Sequence, residues 1–208
     1  MIAEIRHAID GGNYERDIYL QFIEFQQRGV CLTLVCSIYT DEDDKEKVVD
    51  QWLIECLDWE EYRIESFVSY EQDEFEVTEE HPFLWNYQKS LIELYFRGEA
   101  KHVKALIGAL YLKHHSLTKN LIPFDQYLNT KSGTGDLEWL LGNTQGLFST
   151  GPEILTKAYQ ELLSEYGFST SLLQQKGTPT SKGFHLLRLG PSYVIAKEFK
   201  TVRLDVES

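Results

Sequence analysis

Val30, Leu32, Leu34, Cys36 and Ile38 hold one phase of an unbroken two-residue alternation, the period of a half-buried strand. Just before them, Ile18, Leu20 and Phe22 keep one phase and Ile23 and Phe25 take the other. That switch predicts a strand with a bulge. Gln27-Arg28-Gly29 lies between the two strands as a hairpin turn, and Asp41 to Lys47 forms a charged loop after them. Val48–Leu57 reads as a third strand. Glu61–Tyr70 reads as a fourth, with Tyr62, Ile64, Val68 and Tyr70 on one face. Leu91–Phe96 is a short apolar strand closed by Gly98. Residues 1–10 are weakly helical through Ile2, Ile5 and Ile9 and are broken by Gly11-Gly12-Asn13. The N-terminal half therefore predicts an antiparallel meander of about 4–6 strands.

The period then changes. Val103, Leu106, Ile107, Leu110 and His114 form one stripe of a helix over 101–116, stopped by Ile122-Pro123-Phe124. Residues 130–136 read as a flexible loop. Thr150-Gly151-Pro152-Glu153 has the form of a cap, opening a helix whose buried face is Ile154, Leu155, Ala158, Tyr159, Leu162 and Tyr166. Gly167 is its left-handed stop. Ser171–Gln175 and Phe184–Leu189 are two strands of a C-terminal hairpin, and Tyr193–Phe199 is either a third strand or a short helix. The fold class is α+β: a meander packed by two main helices, with a C-terminal β-hairpin. One domain over 1–208 is expected, with 130–150 as the weakest point in it. The 42% apolar and 13% aromatic content is that of a chain with a core.

Charge changes the picture more than composition does. Residues 1–100 hold 24 acids and 8 bases, and residues 101–208 hold 9 acids and 12 bases. The nets are −16 and +3, which together make the −13 of the chain. An anionic chain disfavours general contact with nucleic-acid backbones and bilayer surfaces. No run reaches the length of a spanning helix, and Met1 to Asp10 has no apolar signal segment. Cys31, Cys36 and Cys56 are odd in number. The first two point to opposite strand faces, so all three are expected reduced in a cytoplasmic protein.

Motifs exclude several chemistries. Asp41, Asp43 and Lys45 fail the calcium-loop pattern, since Lys45 stands where an oxygen ligand is required. His114 and His115 are adjacent and diverge by about 100° on a helix, so they cannot chelate as a pair. No nucleophile elbow or phosphate-binding glycine loop occurs. No metal site, catalytic residue or cofactor is expected.

Two surfaces remain. Glu55 to Glu80 contains 11 acids and one base, Arg63, interleaved with aromatic residues. Trp59, Glu60, Glu61, Tyr70, Glu71, Asp73, Glu74 and Glu76 are the candidates for a partner-binding surface. There, aromatic groups would supply a desolvated centre and carboxylates would steer a basic protein. The leading expectation is thus a non-catalytic binding or regulatory factor, of the kind that neutralises a cationic enzyme. The alternative is a small-molecule binder or hydrolase with a cleft lined by Glu79, His81, Trp85, Asp125 and Tyr127. There, an aromatic neighbour would raise a carboxyl pKa and His81 would act as base. A homo-oligomeric structural subunit, such as a homodimer, is the third reading.

Overall fold

A computed structural model describes residues 4–7, 18–28, 31–42, 45–65, 68–88, 91–99, 101–130, 136–174 and 183–206. The fold is α+β with antiparallel sheets. Its contacts divide the chain into two compact units, Met1–Leu84 with Gly183–Ser208, and Trp85–Lys182. The junctions therefore fall at 84/85 and 182/183, and 130–150 lies inside the second unit.

In the first unit, β1 (Ile18–Arg28), β2 (Cys31–Glu42) and β3 (Lys45–Leu57) form the meander read from the alternation. The β1–β2 register shifts between Phe22 and Glu24, so Ile23 is the bulge that the phase change predicts. The expected loop at 41–47 is shorter than its charge suggested. Asp41 pairs with Glu46 and Glu42 with Lys45, because the ladder continues to the tip.

The expected fourth strand is not one strand. β4 (Glu61–Arg63) pairs with β11 (Ser192–Ala196), whereas β5 (Tyr70–Glu71) pairs with β1. Tyr62, Ile64 and Tyr70 do pack on the core, but Val68 is exposed. A 3₁₀ turn (Gln72–Glu74) then leads into β6 (Phe75–Thr78), a strand hidden in the acidic run.

Two sheets result, in the orders β12-β3-β2-β1-β5 and β4-β11-β10-β6. β10 is His185–Leu189 and β12 is Glu198–Leu204. The C-terminal hairpin is β10–β11, so 193–196 resolves as strand, while 198–199 open β12 in the other sheet. Phe22, Leu34, Ile54 and Phe75 meet Leu187, Leu189 and Val194 in one core between the sheets. The chain changes sheet at Asp58–Glu60, where Glu60 N–H donates to Ile195 O at 2.9 Å, and again at Lys197, whose N–H donates to Leu57 O at 3.1 Å. A helical turn over residues 4–7 (α1) inserts the fully buried Ile5 into the same core.

The second unit begins with α2 (Trp85–Gln88) and has β7 (Leu91–Arg97) at the centre of a three-stranded sheet. β8 (Gln145–Pro152) and β9 (Ser169–Gln174) flank it. β9 therefore joins β7 and does not form the hairpin with β10 expected from the sequence. α3 (Val103–Thr118), α4 (Asp136–Gly142) and α5 (Glu153–Glu165) complete the unit. α3 buries Leu106, Leu110 and His114 as its stripe predicts. It starts two residues later than expected and runs two residues past 116, ending where Lys119 and Asn120 both turn left-handed at φ 52° and 61°, before Ile122-Pro123-Phe124 is reached.

Thr150 is not a helix cap. Thr150, Gly151 and Pro152 pair with β7 in the ladder, and Pro152 itself takes the N-cap position. Ile154 is exposed, and α5 instead buries Leu155, Thr156, Ala158, Tyr159 and Leu163. Gly167 is left-handed as expected, at φ 98°. The breaker at 11–13 and the loop at 131–135 lie outside the described residues.

Candidate functional site

The four-stranded sheet positions much of the acidic tract. Alternation turns Phe75, Val77, Leu187 and Val194 to the core, so Glu76, Arg188, Tyr193 and Arg63 form a row on the other face. Two guanidinium nitrogens of Arg188 donate to Glu76 Oε2 at 3.0 and 3.2 Å. The Tyr193 hydroxyl donates to the Glu61 carboxylate, and Arg63 donates to Glu65 at 2.8 Å. Burial, followed by the Glu61 carboxylate beside it, pushes the Tyr193 phenol up to about 12.

The segment after β6 folds back over this face. His81 Nδ1 accepts the Phe83 N–H at 3.3 Å. The Phe83 ring lies 4.9 Å from His81 and 4.7 Å from Tyr193. His185, on β10, comes within 3.5 Å of Glu79. Glu61 and Glu76 therefore share one sheet face with the overlying turn that carries His81, although the sequence placed these residues in two different sites, whereas Glu79 follows Val77 and His185 follows Leu187 to the opposite face.

Around the 3₁₀ turn the acids are more open. Glu60, Glu71, Asp73 and Glu80 are exposed. Among the described residues no ion pair forms to Glu60, Asp73 or Glu80. Glu74 is half-buried, and its carboxylate accepts the Glu71 N–H at 3.3 Å. The two aromatic candidates look inward. Trp59 meets Tyr62 edge-on at 5.2 Å, and both pack on the core. Tyr70 covers Gly190, and its hydroxyl donates to Glu65 at 3.4 Å. Burial, then Glu65, raises its phenol. The surface presents carboxylates, with Trp59 and Tyr70 as its foundation.

The alternative cleft residues divide between the units. Glu79 and His81 belong to the first. Trp85, Asp125 and Tyr127 belong to the second, where Trp85 and Tyr127 are core residues. The Tyr127 hydroxyl donates to Asn86 at 2.8 Å, and burial pushes it up to about 12. A groove of 590 Å³ in the second unit is lined by Tyr95, Arg97, Gln145, Ser169, Ser171 and Leu173 and includes none of these candidates. Nothing in the sequence marks it, because its residues come from three strands brought together only by the ladder.

Among the described residues no group of His, Cys, Asp and Glu could hold a metal ion. The three cysteines are free thiols. Burial and then Asp50 push Cys36 up to about 12, the reverse of what a nucleophile needs. No helix among the described residues is long and apolar enough to cross a membrane.

The charge division follows the units. The first carries 25 acids and 10 bases, a net of −15, and the second 8 acids and 10 bases, a net of +2. Compared with known protein families, curated proteins and solved structures, the chain matches none.

Proposed function

We propose that the protein is a non-catalytic binding factor whose first unit engages a basic protein. The observation that carries this reading is the −15 of that unit, with Glu60, Glu71, Asp73 and Glu80 exposed along one stretch of it. Like charges held together on a surface destabilise the fold that carries them and are relieved by a cationic partner. Such a surface sets the encounter rate and selects the sign of the partner. The ion pairs of Arg188 with Glu76 and Lys197 with Asp58 brace the neighbouring strands and leave the open acids for docking. Free thiols fit a reducing compartment, and the proposal places the protein in the cytoplasm.

The test is capture of a partner from host lysate by the wild type and by a Glu60→Lys, Glu71→Gln, Asp73→Lys, Glu80→Lys variant. Glu76 and Glu74 are kept because they hold Arg188 and the turn, and Glu71 is changed only to Gln because its side-chain oxygen caps the same turn. The wild type should retain one basic protein at low salt and release it at about 0.5 M, where the screening length is about 4 Å. The variant should lose it while melting as the wild type does. Equal capture by both proteins would falsify the proposal.

A further inference from the structure

α3 is apolar on both sides. Its inner face is Leu106, Leu110, His114 and Thr118. Ala105, Gly108 and Leu112, at i, i+3 and i+7, form a stripe on the outer face, with Tyr111 beside them. Leu112 is 70% exposed and Tyr111 47%, and a Cβ placed on Gly108 would meet nothing within 4 Å. A surface helix ordinarily carries charged residues there. Here the charges stand at the two ends of the stripe. Lys101 and Lys104 lie at its start and Lys113 and Lys119 at its end, all exposed. No acid occurs between residues 100 and 124.

We propose that this face docks on the acidic first unit of a second copy of the chain. Charge selects that occupant. Placing α3 against α3 of another copy would bring lysines against lysines in either direction. The first unit instead offers −15 to a stripe bounded by four cations. Ala105 and Gly108 allow close approach, and Leu112 supplies the desolvated anchor that lysines alone lack. A helix of this length presents an edge of about 24 Å. We take the contact to be exchanged in both directions between two copies, which repeats it about a two-fold axis. The inference rests on the acidic surface of the proposed function, but it makes a second copy one of that surface's occupants.

Sedimentation of the full chain between about 1 and 200 μM tests it. The wild type should pass from monomer to dimer, with dimerisation at least tenfold weaker at about 0.5 M salt. Leu112→Asp, and separately Lys104→Glu with Lys113→Glu, should each weaken dimerisation at least tenfold without moving the melting curve, since all three residues are exposed. The variant with Glu60, Asp73 and Glu80 changed to Lys and Glu71 to Gln, here the acid-reversed protein, should do the same. Mixing the lysine-reversed and acid-reversed proteins should restore a heterodimer, because both contacts are then again between opposite charges. A wild type that stays monomeric throughout, or a dimer indifferent to Leu112→Asp and to the mixing, overturns the inference. The proposed function fails separately, since the lysine-reversed variant should still capture the basic partner.

Discussion

His114 shows how much of this molecule is decided by single polar groups in apolar surroundings. It is fully buried, and its two ring nitrogens lie 2.7 Å from the Tyr159 hydroxyl and 2.7 Å from Ile122 O. A carbonyl only accepts, so Nε2 carries the proton, and Nδ1 of the neutral ring accepts from Tyr159. Burial holds the imidazole below its ordinary 6.5. The unfolded chain therefore takes up a proton before the folded one does. The stabilisation from keeping this ring neutral is complete above about pH 6.5 and is lost as pH falls through the lowered folded value. A melting midpoint that declines below pH 6.5, and declines less in His114→Gln, is the expected result. Tyr159→Phe leaves Nδ1 without its donor and should cost about 1–3 kcal/mol in urea denaturation at neutral pH. Gly190 is as exacting in another way. Its φ is 57°, and an added Cβ would clash with the Tyr70 ring. Gly190→Ala must move that ring as well as take a left-handed backbone costing about 1–2 kcal/mol. It should lower the first unit's unfolding midpoint, whereas Gly108→Ala, in open space inside α3, should raise the second's.

At the scale of elements, α1 carries more than its length suggests. Ile5 is fully buried between the sheets. Glu4 accepts from Thr201 on β12 at 3.0 Å, and Arg6 donates to Phe75 O on β6 at 2.8 Å, so the turn ties one sheet to the other. Ile5→Ala should destabilise the first unit by about 2–5 kcal/mol in chemical denaturation, the range for a deleted core side chain that leaves a cavity. A loss below about 1 kcal/mol would mean that the core closes without the turn. The sequence was legible where one period ran long enough. β1 with its bulge at Ile23, β2, β3 and α3 all followed from apolar spacing. It was not legible at β4, β5 and β6, where two to four residues pair with strands more than 100 positions away or with β1. Phe75-x-Val77 was the one local sign of β6, and the surrounding acids masked it. The acidic tract was visible as composition. Which of its acids are tied down was not, because Arg188, Lys197 and Tyr193 reach Glu76, Asp58 and Glu61 from 112 to 139 residues away.

Over the whole molecule, charge and core divide along the same line. One unit has −15 around a core between two sheets, and the other has +2 around a core between a sheet and helices. Repulsion among the acids opposes folding of the first unit and is screened by salt, while the second has little repulsion to screen. Raising sodium chloride from about 0.02 to 0.5 M should therefore raise the unfolding midpoint of the first unit and leave that of the second nearly unchanged. The residue-scale variants identify which transition is which. Ile5→Ala and Gly190→Ala report on the first unit, and Tyr159→Phe reports on the second. Scanning calorimetry on the intact chain should show the salt-sensitive transition to be the one that Ile5→Ala lowers. If salt instead moved the transition lowered by Tyr159→Phe, the acids would not be acting through the fold that carries them. The open carboxylates at Glu60, Glu71, Asp73 and Glu80 would then lose the energetic reason to seek a cationic partner.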